Sequence, residues 1–600
     1  MKNRAAMVGW YDPAMLAKTG IRVAISTVFG QFADKREAFA AANAIAPQPF
    51  DKSFDYSVHN GNFWFDFIAD TGDGWNSTYA VARLLAQETI APGAGAKELP
   101  RGKILVMGGD EVYPTASREE YGNRLLAPYE LAHEPEKGKP AWPPKTRPDL
   151  YAVPGNHDWY DGLNAFFGLF CRRRIAHAGM IGAARSGKVI GGRQTHQTRS
   201  YFAIRLPGDW WLWGTDSQLE GYIDQPQIEY FQHVASAWMP PGSKLILCVG
   251  QPSWEYVDNA KPDKAFSYFS YLERLAGAAR DASGQTLGHK LKLVLSGDAH
   301  HYARYVEGDR HYVTCGGGGA FLHPTHHLED KDFDWPYPQP GLPYDRAQQS
   351  HQRKLTIADA ENGKKALYPD PATSRRLTLG NFAFAFKNWK FPALLMFPAF
   401  FLLTWLMNIN AQLEVRQSLA DIVSQGNLCD ALGNYWLLAV ASPAAAFLLV
   451  GAFFGCRYFS DVENGWGRTL VGGLHAAAHG ATVSVVTCLI VRATAAWWAS
   501  GLGEQLASLV LASAGAALAS ATVFGLYLVV SLFIFNRHWN EAFSSLAHEG
   551  FKSLLRFRID GKGSLTMFPI GLDKVPDDRR DIPENPLLSP HLIEGPVPIG

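Results

Sequence analysis

The sequence predicts a two-part chain: an α/β unit of βαβ build, followed by an all-α bundle of about four membrane-spanning helices. Three observations predict it. Strand-like apolar runs alternate with helix-length intervals through the first part, the pattern of a largely parallel sheet. From Phe391 onward four long runs carry no charge: Phe391 to Met407, Asn434 to Cys456, Leu470 to Val491 and Gln505 to Asn536. The composition changes at the same place, from mixed and charged to rich in Ala, Leu and Phe, a split hidden by the bulk figures of 19% charged residues and zero net charge. A chain of 600 residues is also expected to hold more than one domain.

The strands of the first part each end in a Gly- or Pro-marked loop. Phe63 to Ile68 leads to Asp70-Thr71-Gly72, with Asp66 and Asp73 as neighbours able to compete with Asp70. Lys103 to Met107 leads to Gly109-Asp110-Glu111-Val112-Tyr113, and Leu150 to Val153 to Gly155-Asn156-His157-Asp158. Lys244 to Val249 is followed by Gly250-Gln251-Pro252, and Lys292 to Ser296 by Gly297-Asp298-Ala299-His300-His301-Tyr302. Strand ends are rigid, so carboxylate, amide and imidazole groups from several of them can converge on one point. Such oxygen and nitrogen donors suit hard or borderline divalent metals. Two ions about 3.5–4 Å apart can share a carboxylate, bind a phosphate between them and lower the pKa of water toward ~7, so that no serine or cysteine nucleophile is required.

In this order the pieces resemble the calcineurin-like metallophosphoesterase superfamily, and Asp-x-Gly followed by Gly-Asp-x-x-Tyr is most similar to its purple acid phosphatase branch. The likeness spans residues 60–330. The resemblance implies a sandwich of two sheets flanked by helices, and hydrolysis of a phosphomonoester or phosphodiester by a metal-bound hydroxide. It implies a first metal on Asp70, Asp110, His300 and Tyr113, and a second on Asp110 as bridge, Asn156 and Asp298. His157 would protonate the leaving group or stabilise the transition state, oriented by a hydrogen bond to Asp158. Two departures stand out. The family's fourth motif supplies a histidine where this chain has Gly250-Gln251, leaving the Gln251 carbonyl oxygen as the substitute ligand. Asp298 stands where the last motif has its first histidine. An oxygen-rich second site favours Mn²⁺, Fe²⁺ or Mg²⁺ over Zn²⁺, and a Tyr113 phenolate would suit Fe³⁺.

Around this core, Asn76, Arg199 and His301 are candidate substrate contacts. Guanidinium is apt for phosphate, although most arginines serve the surface. The Cys315 to Gly319 run, with His323, Thr325, His326 and His327 after it, could border an anion, but four glycines after a strand are explained by a tight loop. The loops 114–149 and 161–200 lengthen the core where substrate choice resides.

Spanning a bilayer takes roughly 20 apolar residues, which all four uncharged runs approach or exceed. No signal peptide is visible at the start, and Ile21 to Phe29 is too short to span. Arg375, Arg376, Lys387 and Lys390 precede the first run, Arg457 and Arg468 flank the second loop, and Arg537, Lys552, Arg556, Arg558 and Lys562 follow the fourth. The other two loops carry Arg416 and Arg492, so both termini are expected in the cytoplasm. His475 and His479 share one face of the third helix, either as ligands, with His538 the best further partner, or as groups bonding across a small-residue interface. Phe551 to Ile570 reads as a hairpin able to dock on the first domain or on anionic lipid, and the Pro-rich tail from Asp577 as extended. The six cysteines show no CxxC pair, which fits packed thiols, and zero net charge gives no reason to expect nucleic acid.

The expected domains are an N-terminal extension over residues 1–59 that packs on the next domain, a phosphoesterase domain over 60–375, a membrane domain over 376–536, and a cytoplasmic hairpin and tail over 537–600. The expected function is a membrane-anchored metal-dependent phosphoesterase acting on a phosphoester, lipid-linked by virtue of its location, with membrane lipid as its other partner. The alternative is a non-catalytic phosphate-binding sensor or scaffold, motivated by the missing fourth-motif histidine. A transporter is disfavoured because the spans hold few ionisable groups.

Overall fold

Two β-sheets are laid down in chain order. The first begins with β1 (Phe63–Ile68), β2 (Ile104–Met107) and β3 (Asp149–Ala152); the second holds β4 (Trp210–Gly214), β5 (Lys244–Val249), β6 (Lys290–Ser296), β7 (Tyr302–Glu307) and β8 (Arg310–Cys315). The chain then returns to the first sheet with β9 (Lys552–Ile559) and β10 (Leu565–Leu572). This computed structural model describes residues 4–30, 36, 50–59, 61–93, 97–133, 147–173, 187–217, 223–257, 263–337, 349–412, 419–499, 501–576 and 588–600. In the first sheet β1, β2 and β3 run parallel, while β9 pairs antiparallel with the free edge of β1 and forms a hairpin with β10. In the second, β4, β5, β6 and β8 are parallel and β7 is antiparallel to β8.

Side chains alternate faces along a strand, so a strand buried on both sides is apolar at every position. Phe63, Phe65 and Phe67 of β1, with Ile104 and Val106 of β2, join Leu212, Ile246, Cys248, Leu293 and Leu295 of the second sheet in one core. The intervening Ile68, Leu105 and Met107 pack under helices α1 (Trp75–Ala86) and α2 (Asn164–Phe170). Leu245, Leu247 and Val249 pack under α3 (Gln225–His233) and α4 (Asp263–Gly277). The layers are therefore helix, sheet, sheet, helix.

The chain divides into two compact units, one comprising Met1–Val8, Lys18–Ser374 and Ala547–Gly600, the other Gly9–Ala17 and Arg375–Leu546. The hairpin is thus part of the sheet unit, which settles where it docks. Arg556 lies opposite Asp66 in the β1–β9 register, and its guanidinium grips that carboxylate through Nε at 2.7 Å and Nη2 at 3.1 Å, with both side chains fully buried. Lys552 is buried as well. These two cations were counted above as membrane-flanking charge; they are interior groups and drop out of that argument. The end of the tail is held by strand pairing. Residues 577–587 lie outside those described, but His591–Leu592 and Val597–Ile599 pair with β10, and Glu594 accepts from Arg304 Nε at 2.8 Å and Nη2 at 2.6 Å. Of the two long loops, 134–146 and 174–186 also lie outside the described residues.

The second unit contains α5 (Lys390–Gln412), α6 (Leu428–Ala441), α7 (Pro443–Phe459), α8 (Gly465–Ala493) and α9 (Leu502–Phe535). Among the described residues α8 and α9 are each long and apolar enough to cross a membrane; up to four spans result if each of two bent helix pairs counts as one. The second uncharged run is not one straight helix, because α6 and α7 meet at 95°. Pro443 has no N–H to continue α6, and the Ser442 side chain instead accepts from Ala445 N and starts α7.

Arg556→Met would strand the Asp66 carboxylate in the core. Breaking a buried pair costs about 3–5 kcal/mol, so denaturant unfolding of this variant should show a loss of that order, and Asp66→Leu combined with Arg556→Met should recover most of it.

Candidate functional site

The site is built where β1, β2 and β6 end. Asp70, Asp110 and Asp298 follow these strands with φ of 56°, 52° and 66°. Few residues other than glycine enter this left-handed region, and aspartate is among the most tolerant. The turn swings each carboxylate off its strand line, and strain of this kind is held in place only by surrounding structure. Here that structure is a ladder of loop bonds: Asp70 N to Gly109 O and Thr71 N to Asp110 O, both 3.0 Å, and Asp298 N to the Asp70 carboxylate at 2.9 and 3.1 Å.

Tyr113 sits among these groups. Its Oη lies 2.8 Å from Asp70 Oδ1, 3.2 Å from Asp110 Oδ2 and 3.0 Å from His300 Nε2, although one hydroxyl proton can serve one acceptor at a time. His300 is aimed by its other nitrogen, Nδ1, at 2.8 Å from the Phe321 carbonyl, and its ring stacks on His323 at 3.9 Å. A histidine held by Nδ1–H on a carbonyl presents the Nε2 lone pair, the usual arrangement of a metal ligand. Asn156 Oδ1 is buried with no hydrogen-bond partner, while its Nδ2 reaches Tyr160 Oη at 3.4 Å.

The close quarters explain two glycine features. A Cβ on Gly155 would lie 2.2 Å from Asp110 Oδ1. In the Gly316 to Gly319 run, a Cβ on Gly316 would lie 2.4 Å from Asp70 Oδ2 and one on Gly317 2.3 Å from Ser553 N. None of the four has positive φ, so the run serves close packing against β1 and β9 rather than a tight turn. His326 and Thr325 do not border the carboxylates through these contacts: His326 Nδ1 lies 2.8 Å from Ser374 Oγ, which also accepts from Thr325 N.

Burial dominates the electrostatics. It raises the Asp70 and Asp110 carboxyls well above the ordinary range, with neighbouring carboxylates adding to the effect, and raises Asp298 to about 6. Burial, then Asp110 and Asp70, raise the Tyr113 phenol, so a phenolate there requires a cation. Burial lowers His157 to about 4, so its ring rests neutral. Packed acids, a neutral imidazole and an orphaned amide oxygen form a donor set that fits a bound cation. The set is open rather than tight. Among the described residues, the one group of three His, Cys, Asp or Glu ligand atoms all within 4.8 Å of one another is Cys456, His475 and His479, in the helical unit.

The hydrogen bonds correct one expectation. Asp158 does not orient the His157 ring. Asp158 sits at the third position of the short helix Asn156–Trp159, where Oδ2 accepts from Gly155 N at 2.9 Å and Glu111 N at 3.3 Å and Oδ1 accepts from Tyr121 Oη. The Pro114 carbonyl, 2.8 Å from His157 Nδ1, takes the orienting role. His301, in the bend that precedes β7, is buried and its Nε2 lies 3.1 Å from Glu255 Oε2. Arg199 stacks over Tyr201 and Tyr230, 5.4 and 5.2 Å from the ring centroids. Gln251 is in hydrogen-bond contact with Tyr268. Asn76 is the half-buried second residue of α1. The competitors are occupied: Asp66 by Arg556, and Asp73 by Val8 N at 2.7 Å and Phe321 N at 3.2 Å.

Three contributors were not anticipated. Tyr256, from the loop that lacks the fourth-motif histidine, donates to Asp298 Oδ2 at 2.7 Å. Glu111 is buried beside Asp158. Lys552 of β9 donates to Ala320 O, and is lowered to about 8 by burial against the pull of Asp73, Glu549 and Asp70. The Trp-Glu-Tyr after Pro252 was the one visible signal for the first of these.

Comparison with known proteins adds little. No protein-family model matches the sequence, and no curated protein matches it. Among solved structures, the chain is similar to GAP50, the anchor in the inner membrane complex of Plasmodium, at 14% identity and a TM-score of 0.29, over 44% of this chain and 74% of that one. It is similar to PhoD at 10% identity and a TM-score of 0.27, over 44% of this chain and 59% of PhoD, less than two thirds of its length.

A cation at 100 times its Kd stabilises a fold by about 2.7 kcal/mol. Chelation should therefore lower the melting temperature of the wild type and Mn²⁺ should restore it. Gly155→Ala, which displaces Asp110, should melt at the same temperature with and without Mn²⁺.

Proposed function

We propose that the sheet unit is a metal-dependent phosphoesterase, held at a membrane by the helical unit and acting on a phosphomonoester or phosphodiester of the lipid-linked class. The observation that carries the reading is the convergence of Asp70, Asp110 and His300 within 3.2 Å of the Tyr113 hydroxyl. One ion would be held by Asp70, Asp110, Tyr113 and His300, a second by Asp110, Asn156 and Asp298. When bound, such ions supply Lewis acidity toward phosphoryl oxygens and lower the pKa of water.

The chain's own residues do the rest. Burial and mutual repulsion favour the protonated carboxyls of Asp70 and Asp110, so cations load with release of protons and the substrate follows the metals. Tyr256 holds Asp298 at Oδ2 and Asp298 N holds Asp70, which fixes the spacing of the carboxylates. His157, with its Nδ1 proton on Pro114 O, rests with the lone pair on Nε2. It therefore accepts a proton before it can give one: a phosphomonoester arriving as its monoanion delivers that proton to Nε2, and His157 passes it to the leaving oxygen, whereas a diester carries no such proton and His157 takes it from solvent.

The test is hydrolysis of an aryl phosphate monoester and diester with Mn²⁺, together with metal content. Two metals per chain with activity in the wild type, and activity reduced by at least about 100-fold in Asp110→Asn and His157→Ala, support the enzyme. One metal or none, with wild type no faster than the variants, supports the phosphate-binding sensor instead. Turnover of detergent-solubilised lipid phosphates above that of soluble nucleotides supports the substrate class.

The sidedness is part of the same proposal, with both termini and the catalytic unit in the cytoplasm. Arg375, Arg376, Lys387, Lys390, Arg457 and Arg468 still favour it once Lys552 and Arg556 are set aside. A fluorescent protein fused at the C-terminus should fold and fluoresce in living cells; a dark fusion beside an active exported reporter at the same position places the terminus outside.

A further inference from the structure

We propose that the helical unit carries a metal site of its own, formed by Cys456, His475 and His479 and suited to a single Cu(I) ion. The ligand-type atoms of the three residues all lie within 4.8 Å of one another. The two histidines are four apart on α8, and their Nε2 atoms face each other at 3.0 Å. Cys456 comes from α7. A Cβ on Gly472 would stand 2.4 Å from Arg457 Cα, so α7 and α8 cross with their backbones nearly touching, one residue from Cys456 and less than one turn from His475. The small residues read in the sequence as packing thus also bring the thiol to the imidazoles.

The surroundings fix the ligands. His479 Nδ1 lies 2.7 Å from Ser520 Oγ; with its proton on that nitrogen, the lone pair is on Nε2, toward His475. Tyr527 stacks flat on the His475 ring at 3.8 Å and 3°. His538, the partner expected from sequence, is committed elsewhere: its Nδ1 lies 2.7 Å from Ser531 Oγ and its Nε2 2.6 Å from Phe459 O. A bare hydrogen bond between the two rings would leave Cys456 without a part and His475 Nδ1, which is buried without a partner, no better satisfied.

Ligand chemistry and charge choose the ion. A thiolate with two imidazoles is a three-coordinate donor set suited to Cu(I) or Zn²⁺, and charge decides between them. Charge is costly in an apolar helical interior. A thiolate neutralises Cu(I) completely but leaves a divalent ion with a net positive charge. Binding is a ligand exchange: the Cys456 thiol gives up its proton to solvent, the S–Cu and two N–Cu bonds form, and copper stays monovalent throughout.

The experiment uses the full chain in detergent, stripped of metal, under anaerobic reducing conditions. One equivalent of Cu(I) is added and then challenged with a chromophoric Cu(I) chelator. The wild type should withhold one copper per chain. Cys456→Ser and His479→Gln, each first shown to be folded by circular dichroism, should lose about tenfold or more in affinity, the least expected for disturbing a metal's ligands. Asp110→Asn, which alters the sheet unit, and Cys429→Ser, which removes the exposed thiol, should retain the ion as the wild type does. Wild type that surrenders all its copper, or Cys456→Ser and His479→Gln that both hold it as tightly as wild type, overturns the proposal and leaves the pair as a plain interhelical hydrogen bond.

Discussion

The Asp66–Arg556 pair is the interaction on which the sheet unit depends. It joins β1 to β9 across a gap of nearly the whole sequence, and neither side chain has solvent to fall back on. β1 is also the strand that delivers Asp70. On its other edge it sets β2 and therefore Asp110, because the parallel register aligns Ile68 with Met107. The Gly316–Gly318 backbone then seals both strands, with Ser553 N on Gly317 O at 3.1 Å and Gly318 N on Ala69 O at 3.0 Å. The helical segment is an insertion in the sequence of the sheet unit, which is completed by β9 and β10. A buried pair of this kind contributes little net stability against an apolar alternative but strongly penalises any register that separates its members. Register is what the site needs, since a one-residue slip of β9 would turn Arg556 to the opposite face.

The same logic of enforced geometry applies at the strand ends. Three aspartates in left-handed backbone, packed within one core, form an arrangement the chain would not choose locally. Burial raises all three carboxyls, and the Lys552 ammonium beneath them offsets only part of the negative charge. The loops nevertheless hold them, through main-chain bonds and through glycines whose missing side chains are replaced by carboxylate oxygens. Rigidity bought in this way suits a site that must present a fixed charge spacing to a cation and not collapse when it leaves.

Much of this was legible in the sequence, for a definite reason. An apolar strand ending in Gly-Asp or Asp-x-Gly marks both the strand and the turn that follows, and three such endings in order locate the convergence. Long uncharged runs mark the helices just as directly. What escaped was whatever depends on direction or on distant partners. Apolarity says nothing about the 95° bend between α6 and α7, although Pro443 was its local sign. Counting charges could not distinguish Lys552 and Arg556 from cytoplasmic lysines and arginines, because their neighbours in space are 200 or more residues away, as Ala320 and Asp66 are. Asp158 lies beside His157 in sequence, yet the helix turn points it back at Gly155. Tyr256 reaches Asp298 from 42 residues earlier in the sequence, a contact that no spacing rule would reveal.

The two units solve the burial of polar groups in opposite ways. In the sheet unit the polar groups are charged and are held by main-chain N–H groups that strand ends leave unpaired, so their positions follow from β pairing. Helices offer no such donors along their length, since each backbone group is already bonded within the helix. Polar side chains inside the helical unit bond back to helix carbonyls, as Ser513 Oγ does to Leu509 O at 2.7 Å, or else satisfy one another. Ser520 with His479 and Ser531 with His538 do so, each at 2.7 Å. His475 does so only in part, with one nitrogen on His479 and the other unpaired. That histidine faces a second histidine and a thiol, and in a medium that penalises net charge a monovalent soft cation is the ion such a cluster holds at the lowest cost.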